Sequence, residues 1–196
     1  MDEKTQKWAE PNATMCLIFA VFAGCFWAMM TGQVKPEASL IVGVIQISVL
    51  PSYLVLSTIL LKNNDGLNGN LFSYFCVFFS AVGGATSLVS YFANIYGWPI
   101  DASILGLVWL YIGLMVGFAL PAFKTAPWSF FVLLVLTAVG LVLMGLITIG
   151  LLPASLTNLT GWIFGLCSMM GLYFAITMHV SFAGVTYPLG KPFFKE

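Results

Sequence analysis

Long apolar runs, each followed by a short polar break, dominate the pattern of the chain. Six such segments, each of about 20 residues or slightly more, lie at 13–32, 39–61, 71–96, 102–123, 129–151 and 159–182. A helix of that length crosses the hydrocarbon core of a bilayer. The breaks between the segments are rich in turn-forming residues such as glycine, proline and asparagine. The pattern therefore predicts six transmembrane helices in one domain over 13–182, with short tails at 1–12 and 183–196.

The apolar segments favour helices over a membrane β-barrel. Lipid offers no partners to free backbone groups, so a spanning chain forms either helices or a closed barrel. A barrel strand alternates apolar and polar residues with a period of two, and these segments do not. The composition, 60% hydrophobic and 7% charged, also differs from the roughly one quarter of charged residues typical of soluble domains. We therefore predict an all-α integral membrane protein.

The positions of the lysines predict the orientation of the helices. Only Lys35 lies on one side of the predicted bundle, and the chain has no arginine. The other side carries Lys4, Lys7, Lys62, Lys124, Lys191 and Lys195. Positive charge accumulates in the cytoplasmic loops of membrane proteins. We therefore expect a multi-pass protein of the cell membrane with both termini in the cytoplasm.

The third segment, 71–96, sorts its residues by size and polarity. On a helical wheel with about 100° per residue, bulky residues such as Phe75, Phe79 and Val89 lie together. The opposite face, here called the polar face, consists of Ser73, Cys76, Ser80, Gly84, Ser87, Tyr91 and Asn94. Two interpretations remain open. Small residues allow a neighbouring helix to approach closely, whereas a water-accessible path would also need polar side chains.

Glycine and proline predict local features of other helices. Gly113 and Gly117 are four residues apart in the fourth segment, which is the spacing of a helix-contact face. We expect this face to take part in assembly of several copies of the chain. Pro51 lies within the second segment and lacks the amide hydrogen of a regular helix, so it predicts a kink there.

The six segments contain little of the chemistry that catalysis or ion coupling requires. No Asp, Glu, Lys or Arg lies clearly inside them, and the four cysteines lack the spacing of a metal or redox motif. His179 is the single histidine of the chain, and it is either a structural residue or a pH sensor. We therefore expect no enzyme, no cofactor and no metal, and the zero net charge indicates no nucleic-acid partner. Hydroxyls, aromatic rings and helix dipoles instead suit a conduit for a small neutral solute or weak monoanion.

The sequence resembles the acetate uptake transporter family, the succinate–acetate permeases. The sixth segment and the tail carry much of the similarity, at Gly161-Trp162-Ile163, Cys167, Tyr173, Ala175 and Pro188-Leu189-Gly190. Phe72-Ser73-Tyr74, after a loop that contains Asn64, is similar to the start of the family's third helix. The length and the six-helix topology also agree with this family.

The resemblance implies a substrate, an assembly and a site. Members take up acetate and similar short carboxylates, assemble as hexamers, and narrow the path through each protomer with apolar and aromatic side chains. By position, the constriction would consist of Phe19, Tyr74 and Leu136, with Thr137 and Gly171 nearby. For Phe19 and Leu136, ordinary helix packing is an equally good interpretation. Ser73, Ser80 and Ser87 of the polar face complete the candidate pathway.

We therefore expect a channel or facilitator for acetate and related short-chain carboxylates, including succinate, in a homohexamer within the lipid bilayer. One alternative keeps transport but changes the solute to urea, a short amide, ammonia or water. Another alternative is a membrane scaffold or signalling protein without transport. The short tails argue against this last alternative.

Overall fold

The computed structural model of the protein describes residues 9–193. Across that range the chain is helical and forms no strand. Six helical spans are long and apolar enough to cross a membrane: Asn12–Met30, Pro36–Lys62, Gly66–Tyr96, Ile104–Phe123, Trp128–Ile149 and Ala154–Ser181. For these residues the prediction of an all-α chain with six helices long and apolar enough to cross a membrane is therefore confirmed, and the spans are numbered 1 to 6 below.

Four of the spans are single long α-helices, apart from short 3₁₀ turns at two of their ends. Span 1 is α1, Asn12–Met30. Span 2 follows a 3₁₀ turn and divides into α2, Ser39–Ser48, and α3, Leu50–Lys62. Span 3 consists of α4, Gly66–Phe75, a π-helical segment, Cys76–Val82, and α5, Gly83–Tyr96. Spans 4, 5 and 6 are α6, Ile104–Ala119, α7, Trp128–Ile149, and α8, Thr157–Ser181.

Some helices begin earlier than the apolar pattern predicts, because polar residues extend them beyond the membrane core. Span 3 begins at Gly66, whereas the sequence predicts its start at residue 71. Its first turn is capped by Asp65, whose carboxylate accepts a hydrogen bond from the Asn68 backbone N–H at 3.1 Å. Outside the spans, Asp101 Oδ1 accepts from the Ser103 backbone N–H at 2.9 Å, and this bond lowers the pKa of the Asp101 carboxyl.

Spans 2 and 3 are both irregular at the same depth. The helix of span 2 is interrupted at Val49, two residues before Pro51, as expected from the missing amide hydrogen. The π-helical segment of span 3 lies against this interruption, because α2 packs on α5 and α3 packs on α4. The Cys76 thiol donates to the Leu50 carbonyl oxygen across the junction, with 3.7 Å between sulfur and oxygen. π-helical turns are frequently found at functional sites.

The other spans pack in pairs through small residues. In the α1–α8 pair, Ser168 Oγ donates to the Ala20 carbonyl oxygen at 2.8 Å. In the α6–α7 pair, a Cβ added at Gly113 would lie 2.7 Å from the Val142 backbone nitrogen. Gly113 is thus a contact within one protomer, whereas a Cβ at Gly117 would meet only Ala138 at 3.8 Å. Of the two glycines proposed as an assembly face, only Gly117 leaves space on the outer surface for contact with another copy of the chain.

Candidate functional site

A cavity of about 270 Å³ lies at the end of the bundle that carries Lys62, Lys124 and Lys191. We call it the vestibule. Spans 1, 3, 5 and 6 form its wall, together with the end of span 4, the connection between spans 4 and 5, and Leu189 after span 6. The lining residues are Asn12, Cys16, Leu67, Asn68, Phe72, Ala122, Phe123, Thr125, Ala126, Pro127, Phe130, Phe174, Met178 and Leu189. The wall is mainly apolar, with a few uncharged polar side chains and no ionised group among these residues.

Three helices begin at the vestibule: α1 at Asn12, α4 at Gly66 and α7 at Trp128. The first N–H groups of a helix lack partners within the helix, and its N-terminal end carries a partial positive charge. The end of α4 is already capped by the Asp65 carboxylate. By contrast, α1 and α7 have neither a side-chain cap nor an acidic residue in the first turn. The Glu10 carboxylate lies at the start of α1, however, where it accepts a hydrogen bond from Asn12 Nδ2. The start of α7 has no such neighbour in its first turn, so its positive potential favours an anion in the cavity.

A narrow apolar bottleneck continues from the vestibule towards the middle of the bundle. It shares three of its residues with the vestibule and has a volume of only about 10 Å³, room for about one water molecule. Its walls consist of Cys16, Phe19, Leu71, Phe72, Phe75, Phe130, Leu133, Leu134 and Thr137. A solute larger than water passes this point only if side chains move.

A series of aromatic rings closes the path beyond the bottleneck. Phe19 stacks on Phe75 with 5.5 Å between ring centroids, and Phe75 stacks on Phe79 at 5.0 Å. Phe79 in turn stacks on Trp109 at 6.0 Å, and Phe26 contacts both of these rings. The vestibule therefore lies at the end that carries Lys62, Lys124 and Lys191, and aromatic packing shuts the path towards the other end.

Three of the predicted pathway residues meet at the bottleneck. Phe19 and Thr137 both line it. Thr137 Oγ1 donates to the Leu133 carbonyl oxygen at 2.8 Å and lies 3.7 Å from Cys167 Sγ. Gly171 stands behind Phe19, since a Cβ at this glycine would lie 3.1 Å from Phe19 Cδ1. The glycine therefore leaves space for the ring of Phe19.

The other two predicted constriction residues lie away from the bottleneck. Tyr74 lines another cavity of about 180 Å³, between spans 3 and 4, which shares Leu67 and Phe123 with the vestibule and Leu71 with the bottleneck. Leu136 is half-buried and packs against the core without lining the vestibule or the bottleneck. Its side chain projects about 100° around α7 from that of Thr137, because consecutive helical residues differ by that angle. Phe75 and Leu134 occupy the bottleneck wall instead.

The three predicted serines of the polar face have different surroundings. Ser73 Oγ donates to the Gly69 carbonyl oxygen of its own helix at 2.7 Å. Ser80 is fully buried, and its hydroxyl has no hydrogen-bond partner within residues 9–193. Ser87 Oγ donates to the Gly83 carbonyl oxygen at 2.8 Å. From Ser80 to Ser87 the polar face packs against α2, which agrees with the helix-contact interpretation.

Gln46 lies beside the polar face and was not among the site residues predicted from the sequence. This α2 side chain is fully buried, and its Oε1 lies 3.3 Å from Ser87 Oγ, the hydroxyl that donates to the Gly83 carbonyl oxygen at the shorter distance. Its Nε2 has no partner in the described part of the chain and lies close to Gly83, at the end of the π-helical segment. The sequence signal that could have identified Gln46 was its position as the one amide side chain in the largely apolar run from Leu40 to Leu50.

His179 lies outside the vestibule. It is exposed and lines a groove between α1 and α8 with Thr14, Leu17 and Ile176. Within residues 9–193, no three or more His, Cys, Asp or Glu side chains are grouped so that they could hold a metal ion. The pH-sensing role of His179 stays a prediction.

The chain was compared with protein-family models and with curated proteins, and neither comparison found a match. The resemblance to acetate uptake transporters therefore stays a prediction from the residues that carry it.

Proposed function

We propose that the protein is a facilitator for acetate and related short-chain carboxylates, which pass through each protomer by way of the vestibule and the bottleneck. The observation that carries this proposal is the start of α7, which faces the vestibule with no side-chain cap and no acidic residue in its first turn. The start of a helix favours an anion through its N–H groups and the helix dipole. The resemblance to the acetate uptake transporters supports the same solute class.

A monocarboxylate suits both parts of the proposed path. Its charged end is stabilised in the vestibule by the helix dipole of α7, and its short apolar end enters a bottleneck walled by Phe19, Phe75 and Leu134. A dicarboxylate would carry a second charge into an apolar wall, and moving an unpaired charge out of water costs several kcal/mol. We therefore expect acetate to pass faster than succinate.

The orientation and the assembly belong to the same proposal. The excess of lysines at the vestibule end supports a cytoplasmic location for this end and for both termini. The resemblance supports a ring of six protomers, each with its own path. Exposed apolar side chains around the bundle, among them Phe118 and Ile104, would face lipid or neighbouring protomers in such a ring.

A small neutral solute such as ammonia, water or a short amide is the second candidate. The bottleneck favours it, because its walls carry no charge and it has room for about one water molecule. The two candidates differ in how transport responds to charge at the vestibule.

Thr125 offers a test of this difference, because it lines the vestibule just before α7 and is exposed. Thr125→Asp adds a fixed negative charge there, and Thr125→Asn is the control of nearly equal size. We expect Thr125→Asp to slow acetate uptake into proteoliposomes roughly tenfold, which corresponds to about 1.4 kcal/mol of repulsion. Acetamide, the neutral analogue of acetate, should show the same rate in both variants. Equal acetate rates in the two variants would favour the neutral-solute candidate.

A further inference from the structure

The chain folds back on itself after α8. Residues 188–193, here called the strap, have no helical structure and run across the start of α7. The backbone N–H of Trp128 donates to the Lys191 carbonyl oxygen at 3.2 Å. Ser129 Oγ donates to the Leu189 carbonyl oxygen at 2.5 Å. The strap therefore occupies donors at the start of α7, which faces the vestibule.

Leu189 connects the strap to the vestibule. Its side chain is half-buried, lines the cavity and packs against the core. The rest of the strap is exposed along its length. Tyr173 of α8 holds the strap from the other side, since its hydroxyl donates to the Pro188 carbonyl oxygen at 2.7 Å. The strap is thus a peripheral segment with one apolar side chain inserted into the wall of the cavity.

Gly190 permits this close approach. Its φ is +85°, and a Cβ added there would overlap Nε1 and Cδ1 of Trp128. A side chain at this position therefore requires either the strap or the exposed Trp128 ring to shift. Gly184 provides a matched comparison, because its φ is +79° but no atom lies within 4 Å of an added Cβ. Both glycines have backbone angles that favour glycine, but only one lies against Trp128.

We propose that the strap is an autoinhibitory lid on the vestibule. Its carbonyl groups bind the α7 donors that a carboxylate would use, and Leu189 narrows the cavity beside them. Release of the strap opens the mouth and frees the Trp128 N–H and the Ser129 hydroxyl for an anion. This inference rests on the proposed function for the identity of the anion, but the covering of the vestibule is independent of transport.

Cys16 reports access to the vestibule directly. It lines both the vestibule and the bottleneck and is 3% exposed. The measurement is the rate at which Cys16 reacts with small thiosulfonate reagents, one anionic and one neutral, in purified protein. Each variant is made in a chain whose other cysteines, Cys25, Cys76 and Cys167, are replaced by alanine.

We expect Gly190→Ala to speed the modification of Cys16 by about tenfold or more, whereas Gly184→Ala leaves the rate unchanged. A double variant, Ser129→Ala with Tyr173→Phe, removes two strap contacts without adding bulk. It should give the same acceleration even if Gly190→Ala folds poorly. An unchanged Cys16 rate in the folded double variant would overturn the lid.

Comparing the two reagents distinguishes failure of the lid proposal from failure of the proposed function. If the freed start of α7 attracts anions, release of the strap should raise the rate of Cys16 modification more for the anionic reagent than for the neutral one. Equal acceleration of both would retain the lid but count against an anion site. If neither reagent reacts faster with Cys16, the lid proposal is wrong. Acetate uptake by the unaltered protein would still test the proposed function.

Discussion

Replacing Phe19 with alanine distinguishes a residue of the solute path from a residue that only packs. The Phe19 ring is 5% exposed, forms part of the bottleneck wall and stacks on Phe75 at 5.5 Å. Phe22, three residues further along α1, is the matched control. It is completely buried and contacts Tyr53 and Phe79 edge-on, but it lines neither the vestibule nor the bottleneck.

Both substitutions should destabilise the fold by similar amounts. Removing a buried phenylalanine ring costs about 3–5 kcal/mol, of which the aromatic contacts contribute about 0.5–1.5 kcal/mol. The bottleneck has a volume of only about 10 Å³, so the Phe19 ring must move before a carboxylate passes. Phe19→Ala adds the volume of the lost ring to the bottleneck, whereas Phe22→Ala leaves a closed cavity beside the path.

We therefore expect Phe19→Ala to raise acetate flux by about tenfold, equivalent to roughly 1.4 kcal/mol off the barrier, and to admit longer monocarboxylates such as butyrate. Phe22→Ala should lower the melting temperature without a gain in flux. Melting temperature and uptake into proteoliposomes would be measured on the same preparations. The reasoning is refuted if both variants lose flux in proportion to their loss of stability.

Three further predictions concern packing, the candidate site and topology. Gly113→Ala should lower the melting temperature far more than Gly117→Ala, because only the first places a Cβ against the backbone of α7; equal melting temperatures would contradict this packing. Tyr74→Ala should leave the ratio of acetate to acetamide flux unchanged, because Tyr74 lines neither the vestibule nor the bottleneck; a changed ratio would place it in the path. A reporter fused after Glu196 should be cytoplasmic, and a tag inserted between residues 153 and 157 should be reachable from outside. The opposite reporter signal would reverse the orientation of the vestibule.

The sequence predicted the membrane architecture well, because the bilayer itself imposes the length and the polarity of each segment. It predicted helix starts less well. The apolar pattern marks the part of a helix that lies in lipid, whereas Asp65 caps a helix that begins five residues before the apolar run at residue 71. Hydrophobicity carries no information about that polar first turn.

The interior of the bundle was harder to predict for a geometric reason. The helical wheel assumes about 100° per residue throughout span 3, but the π-helical segment from Cys76 to Val82 widens the turn and rotates the faces of α5 relative to those of α4. Phe75 and Phe79, which lie opposite the polar face on that wheel, are both buried in the core. Burial on two sides of one helix cannot be deduced from its own periodicity.

The candidate site shows the same limit. Phe19 and Thr137 lie together because α1 and α7 face each other across the path, an arrangement that neither segment specifies alone. The strap is also invisible in the sequence pattern, since residues 188–193 are too short to show a periodicity that would predict a contact with α7. Its position depends on hydrogen bonds between segments about 60 residues apart.

Transport by the unaltered protein tests the central claim most directly. Purified protein in proteoliposomes would be given labelled acetate, acetamide and succinate at equal concentrations, with empty liposomes as the control. The account predicts saturable acetate uptake well above that of empty liposomes, faster than uptake of either acetamide or succinate. Acetamide uptake equal to or faster than that of acetate, or acetate uptake no faster than in empty liposomes, would contradict it.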